Sequence, residues 1–88
     1  MKFGAVIPIF RCFDEAKAKE FYCGFLGFQV DFEHRFAPDA PLYFQVSRDG
    51  VALHLSEHHG DVTPGSTVRI EVDDIEALHG ELLRPVVS

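Results

Sequence analysis

In the first third of the chain, a continuous apolar run is followed by apolar residues at helical spacing. Residues 4–12 (GAVIPIFRC) are mostly apolar and predict a strand, in which Pro8 indicates an edge position or a local break in the ladder. Asp14 then begins a helix, because Asp14 and Glu15 stand where a helix N-terminus favours acidic side chains. Its apolar stripe comprises Ala18, Phe21, Tyr22, Phe25 and Leu26. We expect the helix to end at Gly27.

Three strands are predicted next. Residues 28–34 (FQVDFEH) alternate strictly, which is typical of a half-buried strand. Its apolar positions are Phe28, Val30 and Phe32, and its polar positions are Gln29, Asp31 and Glu33. Residues 42–47 and 51–57 flank Arg48-Asp49-Gly50, in which the Asp-Gly pair favours a hairpin turn. These segments therefore predict two antiparallel strands.

The remainder of the chain predicts a shorter unit. Residues 58–66 (HHGDVTPGS) are polar and rich in turn formers, so we expect a linker. Residues 67–72 predict a strand. After Asp73-Asp74, apolar residues at helical spacing predict a helix that ends at Pro85. These apolar residues are Ile75, Leu78, Leu82 and Leu83.

The predicted order is β-α-β-β-β, a linker, then β-α, and the second strand–helix pair repeats the start of the first. We expect an α+β fold with a βαβββ module at 1–57, a linker at 58–66, a partial second βα module at 67–84 and a tail at 85–88. The predicted core lies between the first helix and one sheet face. It consists of Phe21, Tyr22, Phe25, Leu26, Phe28, Val30, Leu53 and Leu55.

Composition narrows the class of protein. The 88 residues suffice for one domain, and 47% hydrophobic with 25% charged residues is ordinary for a globular protein. A formal net charge of −6 disfavours nucleic acid, which requires clustered Lys and Arg. No apolar run approaches the roughly 20 residues that span a bilayer, and no secretory signal is recognisable. We therefore expect a cytoplasmic protein with Cys12 and Cys23 reduced.

Period-two alternation also predicts which side chains line the open face of the sheet. They are Ile7, Ile9, Arg11, Tyr43, Gln45, His54, Ser56, Arg69 and Glu71. This mixture of aliphatic, aromatic and hydrogen-bonding groups suits a small-molecule pocket, although the same residues could be half-solvated without a specific ligand. Nothing resembles a phosphate-binding loop or an activated nucleophile.

A polar cluster near the end of the last hairpin strand is a weaker candidate for a metal site. It comprises His54, Glu57, His58, His59 and Asp61. Glu57 points away from His54 if the strand is regular, and the two following histidines fall in the turn. Convergence on one ion would therefore need a special loop geometry, and we favour a solvated loop with His54 lining the open face.

Two motifs resemble a known family. Residues 14–28 follow D-x-x-x-A-x-x-F-Y-x-x-x-L-G-F, and residues 72–78 read V-D-D-I-x-A-L. In combination they resemble the glyoxalase/bleomycin-resistance/dioxygenase superfamily, also called the vicinal oxygen chelate superfamily. The resemblance implies paired βαβββ modules whose curved sheets form a cup around a ligand or metal. The second module here would lack its last three strands.

The resemblance also implies where metal ligands would stand. Its metal-dependent members carry ligands on the first and last strands of each module, and these positions fall on Ile7, Thr67 and His54. Neither Ile7 nor Thr67 is a useful ligand for a divalent ion. We therefore expect no cofactor, with His54 as a weak metal candidate.

Three hypotheses follow for function. The favoured one is a metal-free binding protein that sequesters a cationic or aromatic small molecule in the groove of a homodimer, in which the second module could be swapped. One alternative is a metal-dependent glyoxalase, lyase or dioxygenase of the same superfamily. The other is a truncated module without catalytic activity.

Overall fold

A computed structural model of the chain describes residues 1–58, 60 and 67–83. The elements are β1 (Ile9–Arg11), α1 (Glu15–Lys19), a π-helical segment (Glu20–Phe25), β2 (Gln29–His34), β3 (Tyr43–Arg48), β4 (Val51–Ser56) and α2 (Ile75–Leu82). The strands form one sheet in the order β1-β4-β3-β2. β1 runs parallel to β4, and the other neighbours are antiparallel. This arrangement confirms the α+β fold and the βαβββ module.

The first helix begins as predicted but continues with a wider turn. The Asp14 carboxylate accepts a hydrogen bond from the Lys17 backbone N–H at 3.1 Å, which satisfies a donor at the helix start. Farther along, the Leu26 N–H donates to the Phe21 carbonyl at 2.9 Å, an i to i−5 bond. The π-helical turns break the 3.6-residue period, so the predicted apolar stripe does not face the sheet along its whole length.

The observed core corrects the prediction. Its buried hydrophobic residues are Cys12, Leu42, Phe44, Val46, Leu53 and Leu55. Leu53 and Leu55 are buried as expected, whereas Tyr22 and Phe28 pack against this cluster while only half-buried. In contrast, Phe21 and Phe25 are 49% and 44% exposed, and Val30 is also exposed. The sheet and the chain leading into β3 therefore supply most of the core.

The β3–β4 hairpin turns at the predicted Asp-Gly pair, and Arg48, which was expected between the strands, is the last residue of β3. Arg48 and Val51 are paired across it, and Asp49 and Gly50 have φ values of 51° and 82°. Positive φ at both central positions matches the right-handed twist of the strands, and it explains the Asp-Gly pair. The turn fixes the register of the two central strands.

An irregularity in β2 overturns its predicted alternation. Val30 pairs with Val46 but Phe32 pairs with Gln45, so Asp31 is an extra residue in β2. Such a bulge shifts every later side chain to the other face. Phe32, predicted to lie on the apolar side with Val30, therefore lies beside Gln45 on the opposite face and is 45% exposed.

The predicted strand at 67–72 is wrong. None of its residues is in a strand, and Val68, Ile70 and Val72 are exposed. A strand needs hydrogen bonds from a neighbour, and the four described strands are paired only with one another.

The second helix begins as predicted and is fastened to the hairpin. The Asp74 carboxylate caps α2 by accepting from the Ala77 N–H at 2.9 Å. Glu81 of α2 is paired with Arg48 of β3. The predicted helix end at Pro85 and most of the predicted linker lie outside the described residues. Of the helices that the structure describes, none is long and apolar enough to cross a membrane.

Candidate functional site: the open face of the sheet

The two faces of the sheet have different surroundings. Ala18, Tyr22 and Cys23 of the first helical segment pack on the core side. The registers align two rows of residues across the opposite face: Arg11, Ser56, Tyr43 and His34 in one row, and Ile9, His54, Gln45 and Phe32 in the other. We call this surface the open face. Six of the nine predicted site residues lie on its paired strands, and five of these have a solvent-accessible side chain: Ile9, Arg11, Tyr43, Gln45 and His54.

A hydrogen-bond network crosses three strands of the open face. The Tyr43 hydroxyl lies 2.6 Å from His54 Nδ1, and His54 Nε2 lies 2.8 Å from Gln45 Oε1. Gln45 Nε2 then donates to Asp31 Oδ2 at 2.9 Å. Ser47 Oγ donates to the other oxygen, Asp31 Oδ1, at 2.9 Å. The predicted residues Tyr43, Gln45 and His54 are thus directly connected.

Asp31 is the functional residue that the sequence did not reveal. Its carboxylate accepts hydrogen bonds from Gln45 and Ser47, and these lower its pKa below the usual range because they stabilise the ionised form. The bulge in β2 brings this anion toward the open face. Regular alternation offers no sign of a bulge, so no pattern in the sequence could have identified Asp31.

Aromatic rings lie beside His54 and at the end of β2. The rings of Phe32 and Tyr43 meet the His54 imidazole edge to face, with centroids 5.7 and 5.2 Å away. At the end of β2 the Phe36 ring contacts both His34 and His58 in the same manner. Phe32 and Phe36 are 45% and 80% exposed, so part of each ring is accessible. The open face therefore offers aromatic surface beside an anion.

Arg11 occupies the other end of the open face. Its Nη1 donates to the His58 carbonyl at 2.8 Å, and its guanidinium lies 4.7 Å from the centroid of the Phe13 ring. Its neighbour Ser56 is fully buried and accepts from the His58 N–H, so Ser56 supports the chain rather than presenting its hydroxyl. These two contacts hold the guanidinium, whereas its buried Nε has no hydrogen-bond partner among the described residues.

The other predicted site residues fall outside the paired strands. Ile7 precedes β1, and its side chain is exposed. Arg69 and Glu71 are exposed in a segment that forms no strand, so the register expected to place them on the open face is absent. Their assignment depended on the incorrect strand at 67–72.

The described residues do not fit a divalent metal. Across residues 1–58, 60 and 67–83, no three His, Cys, Asp or Glu side chains are grouped so as to hold an ion. Both ring nitrogens of His54 are within hydrogen-bond distance of Tyr43 and Gln45, so ligation would require breaking one of these contacts. His59 and Asp61 of the polar cluster lie outside the described part of the chain.

The thiols offer no alternative chemistry at neutral pH. Burial, followed by the nearby Glu57 carboxylate, raises the pKa of Cys12 to about 11. Burial also raises the pKa of Cys23. Both cysteines are free, and both thiols are protonated at neutral pH, whereas a nucleophilic cysteine must be a thiolate.

Comparison with known proteins identifies the family. The sequence matches the family model described as "Glyoxalase superfamily protein" over residues 1–85. The chain belongs to the glyoxalase superfamily. This membership confirms the resemblance carried by the motifs at 14–28 and 72–78.

A solved structure agrees with this membership of the glyoxalase superfamily. The fold is similar to that of a glyoxalase/bleomycin resistance protein from Streptomyces sp. CB03234, with a TM-score of 0.67 and 25% sequence identity. The match covers 86% of this chain and 68% of that chain. No curated protein matches the sequence.

Proposed function

We propose that this member of the glyoxalase superfamily is a metal-free binding protein that sequesters a cationic or aromatic small molecule on its open face. The observation that carries the proposal is the connected set Tyr43, His54, Gln45 and Asp31, flanked by the exposed ring of Phe32. A small-molecule site needs accessible apolar surface and a few fixed polar groups, and this set supplies both.

The charges on the open face favour a cation. The Asp31 carboxylate stays ionised because Gln45 and Ser47 donate to it, and the whole chain carries a formal charge of −6. A cation could therefore contact Asp31 and the face of the Phe32 ring together. Arg11, the cation on the same surface, is held by the His58 carbonyl and the Phe13 ring.

Binding is favoured over catalysis by the chemistry of the described residues. The donor set does not suit a divalent ion, and the two thiols have raised pKa values. Sequestration requires neither a metal nor a nucleophile. The similar Streptomyces structure bears the description "glyoxalase/bleomycin resistance protein", which supports testing ligands of the bleomycin type.

A second copy of the chain would complete the groove. A single four-stranded sheet covers a ligand from one side only, whereas a tight site buries most of a small molecule. The exposed apolar segment that contains Val68, Ile70 and Val72 offers a surface for self-association. We include a homodimer in the proposal for this reason.

Isothermal titration of the metal-stripped protein with metal-free bleomycin tests the proposal. Saturable binding is expected, and His54→Gln should weaken it by about tenfold, equivalent to about 1.4 kcal/mol. His79→Gln is the matched control because His79 is exposed on α2, away from the sheet registers that form the open face. Absence of saturable binding by the folded protein would count against this ligand class.

The two alternatives give different results in the same preparations. A metal-dependent enzyme would retain stoichiometric metal after purification without an affinity tag and would turn over in a glyoxalase assay with nickel or zinc. A truncated module without activity would sediment as a monomer and bind none of the ligands.

A further inference from the structure

The hydrogen bonds that Gln45 and Ser47 make with Asp31 both point toward its carboxylate. An ionised carboxylate can only accept, so Asp31 requires the NH₂ group of Gln45 to point toward it. The Gln45 carbonyl oxygen is thereby turned toward His54, 2.8 Å from Nε2. The amide orientation is set by the charge at Asp31, two strands away from His54.

The orientation of Gln45 in turn selects one form of the imidazole. A carbonyl oxygen accepts, so His54 must carry a proton on Nε2. In the neutral imidazole Nδ1 then lacks a proton and accepts from the Tyr43 hydroxyl, 2.6 Å away. The Tyr43 hydroxyl proton is consequently directed to His54, the His54 Nε2 proton to Gln45, and the Ser47 hydroxyl proton to Asp31.

We infer that Asp31 is a positioning residue that acts through Gln45 to fix the Nε2–H tautomer of His54 and the direction of the Tyr43 hydroxyl. A carboxylate at this point in β2 is the anchor of the network because it is the one member that cannot reverse its role. Uncharged Asn in its place could donate or accept, and Gln45 could then turn over.

The fixed direction determines the ligand class, if the proposed binding function holds. The Asp31 oxygens accept, and the Tyr43 oxygen has already directed its proton to His54. The ligand must therefore bring the hydrogen-bond donors. An ammonium or guanidinium group satisfies this requirement, whereas a carboxylate of the same shape does not.

Long-range ¹H–¹⁵N spectra of the histidine rings test the positioning role without any ligand. At about pH 8, where imidazoles are generally neutral, the wild type should show His54 with a protonated Nε2 and a bare Nδ1. Asp31→Asn should narrow the separation of the two ¹⁵N resonances, because both tautomers become populated. Asp31→Glu keeps the charge and should retain the wild-type pattern.

Two further variants separate positioning from a loss of structure. Gln45→Leu removes the link between Asp31 and His54, and it should narrow the separation in the same way as Asp31→Asn. Asp39→Asn changes an exposed carboxylate outside the network and should have no effect. Backbone amide spectra establish that each variant is folded. The inference is overturned if the wild type carries its proton on Nδ1, or if folded Asp31→Asn and Gln45→Leu both keep the wild-type pattern.

A pair of probes of opposite charge tests the ligand class. We expect 2-phenylethylammonium to bind at least about tenfold more tightly than 3-phenylpropionate, equivalent to about 1.4 kcal/mol, and Asp31→Asn to reduce this ratio. Equal binding of the two probes would overturn the assignment of ligand class. If neither binds while the ring spectra behave as expected, the proposed function fails for small aromatic cations and the positioning role of Asp31 stands.

Discussion

Arg48 and Glu81 are joined by two charge-assisted hydrogen bonds, from Nη1 and Nη2 to the two carboxylate oxygens, at 2.6 and 2.9 Å. The same Nη1 donates to the Leu26 carbonyl at 2.7 Å. The Arg48 side chain of β3 therefore forms hydrogen bonds with both α2 and the end of the first helical segment. Gly27 permits this approach, because a Cβ there would lie 3.1 Å from Nη1 and its φ is 78°.

Replacing Arg48 should loosen both helical segments. We expect Arg48→Ala to lower the Tm more than Glu81→Gln does, because only Arg48→Ala also removes the donor to the Leu26 carbonyl. The effect of Glu81→Gln should shrink in high salt, which screens partly exposed charges. Thermal melts followed by circular dichroism, at low and high salt, measure the Tm of each variant. Arg69→Ala, at an exposed arginine, is the control, and an equal loss for this variant would contradict the role of Arg48.

The position of Phe44 predicts a large loss of stability on truncation. Its side chain is fully buried against the core, so Phe44→Ala should lower the free energy of unfolding by about 3 to 5 kcal/mol. Phe25 is 44% exposed, so Phe25→Ala should lower the free energy of unfolding by less than about 1.5 kcal/mol. Urea unfolding provides the comparison, with Phe44→Leu as a milder variant if Phe44→Ala does not fold. A larger effect at Phe25 than at Phe44 would contradict the observed core.

The buried Cys12 thiol predicts a loss of stability in alkali. Its pKa is raised from 9.0 to about 11 in the folded protein, so between these pH values the unfolded chain releases a proton that the folded chain keeps. Unfolding is therefore favoured as the pH rises through this window, by about 2 to 3 kcal/mol in total. Below about pH 8 the thiol is protonated in both states, so it should contribute almost nothing to the pH dependence.

The Cys12 contribution can be isolated with a variant. Urea unfolding between pH 8 and 11 should show a shallower decline for Cys12→Ala than for the wild type. Tyr22 also has a pKa that is raised, mainly by burial and secondarily by the nearby Cys12, so both proteins are compared in a Tyr22→Phe background that removes its titration. If the free energy of unfolding fell equally with pH for wild type and Cys12→Ala, the thiol would ionise equally in the folded and unfolded states, contrary to this prediction.

Self-association should depend on the apolar residues of the segment 67–72. We expect sedimentation equilibrium at micromolar concentration to give about twice the chain mass of 9.9 kDa. Val68→Lys or Ile70→Asp should shift the protein to monomer and weaken ligand binding, because each places a charge on the exposed apolar surface. Arg69→Asp, in the same segment but at a polar position, should remain dimeric. A wild-type monomer that binds ligand normally would rule out the shared groove.

Local chemistry in the sequence was enough to predict most elements. Helices begin directly after Asp14 and Asp74, where helix starts were expected, and Asp49-Gly50 forms the hairpin turn. These features depend on hydrogen bonds and backbone angles within a few residues, so they can be recognised without knowledge of the fold. The alternation in β3 and β4 likewise predicted that Tyr43, Gln45 and His54 share a face.

Tertiary contacts decided the rest. Residues 67–72 have the alternation of a strand, but a strand also needs a neighbour to pair with its backbone, and no described strand fills that role. The π-helical turns turn Phe21 and Phe25 away from the core, although their spacing suits a regular amphipathic helix. The bulge in β2 moves Phe32 to the open face and brings Asp31 into contact with Gln45 and Ser47. The sequence by itself thus determined the central hairpin and the helix starts. The position of the Asp31 carboxylate at the candidate site depends instead on the pairing of β2 with β3, because a one-residue change in register exchanges the two faces of a strand.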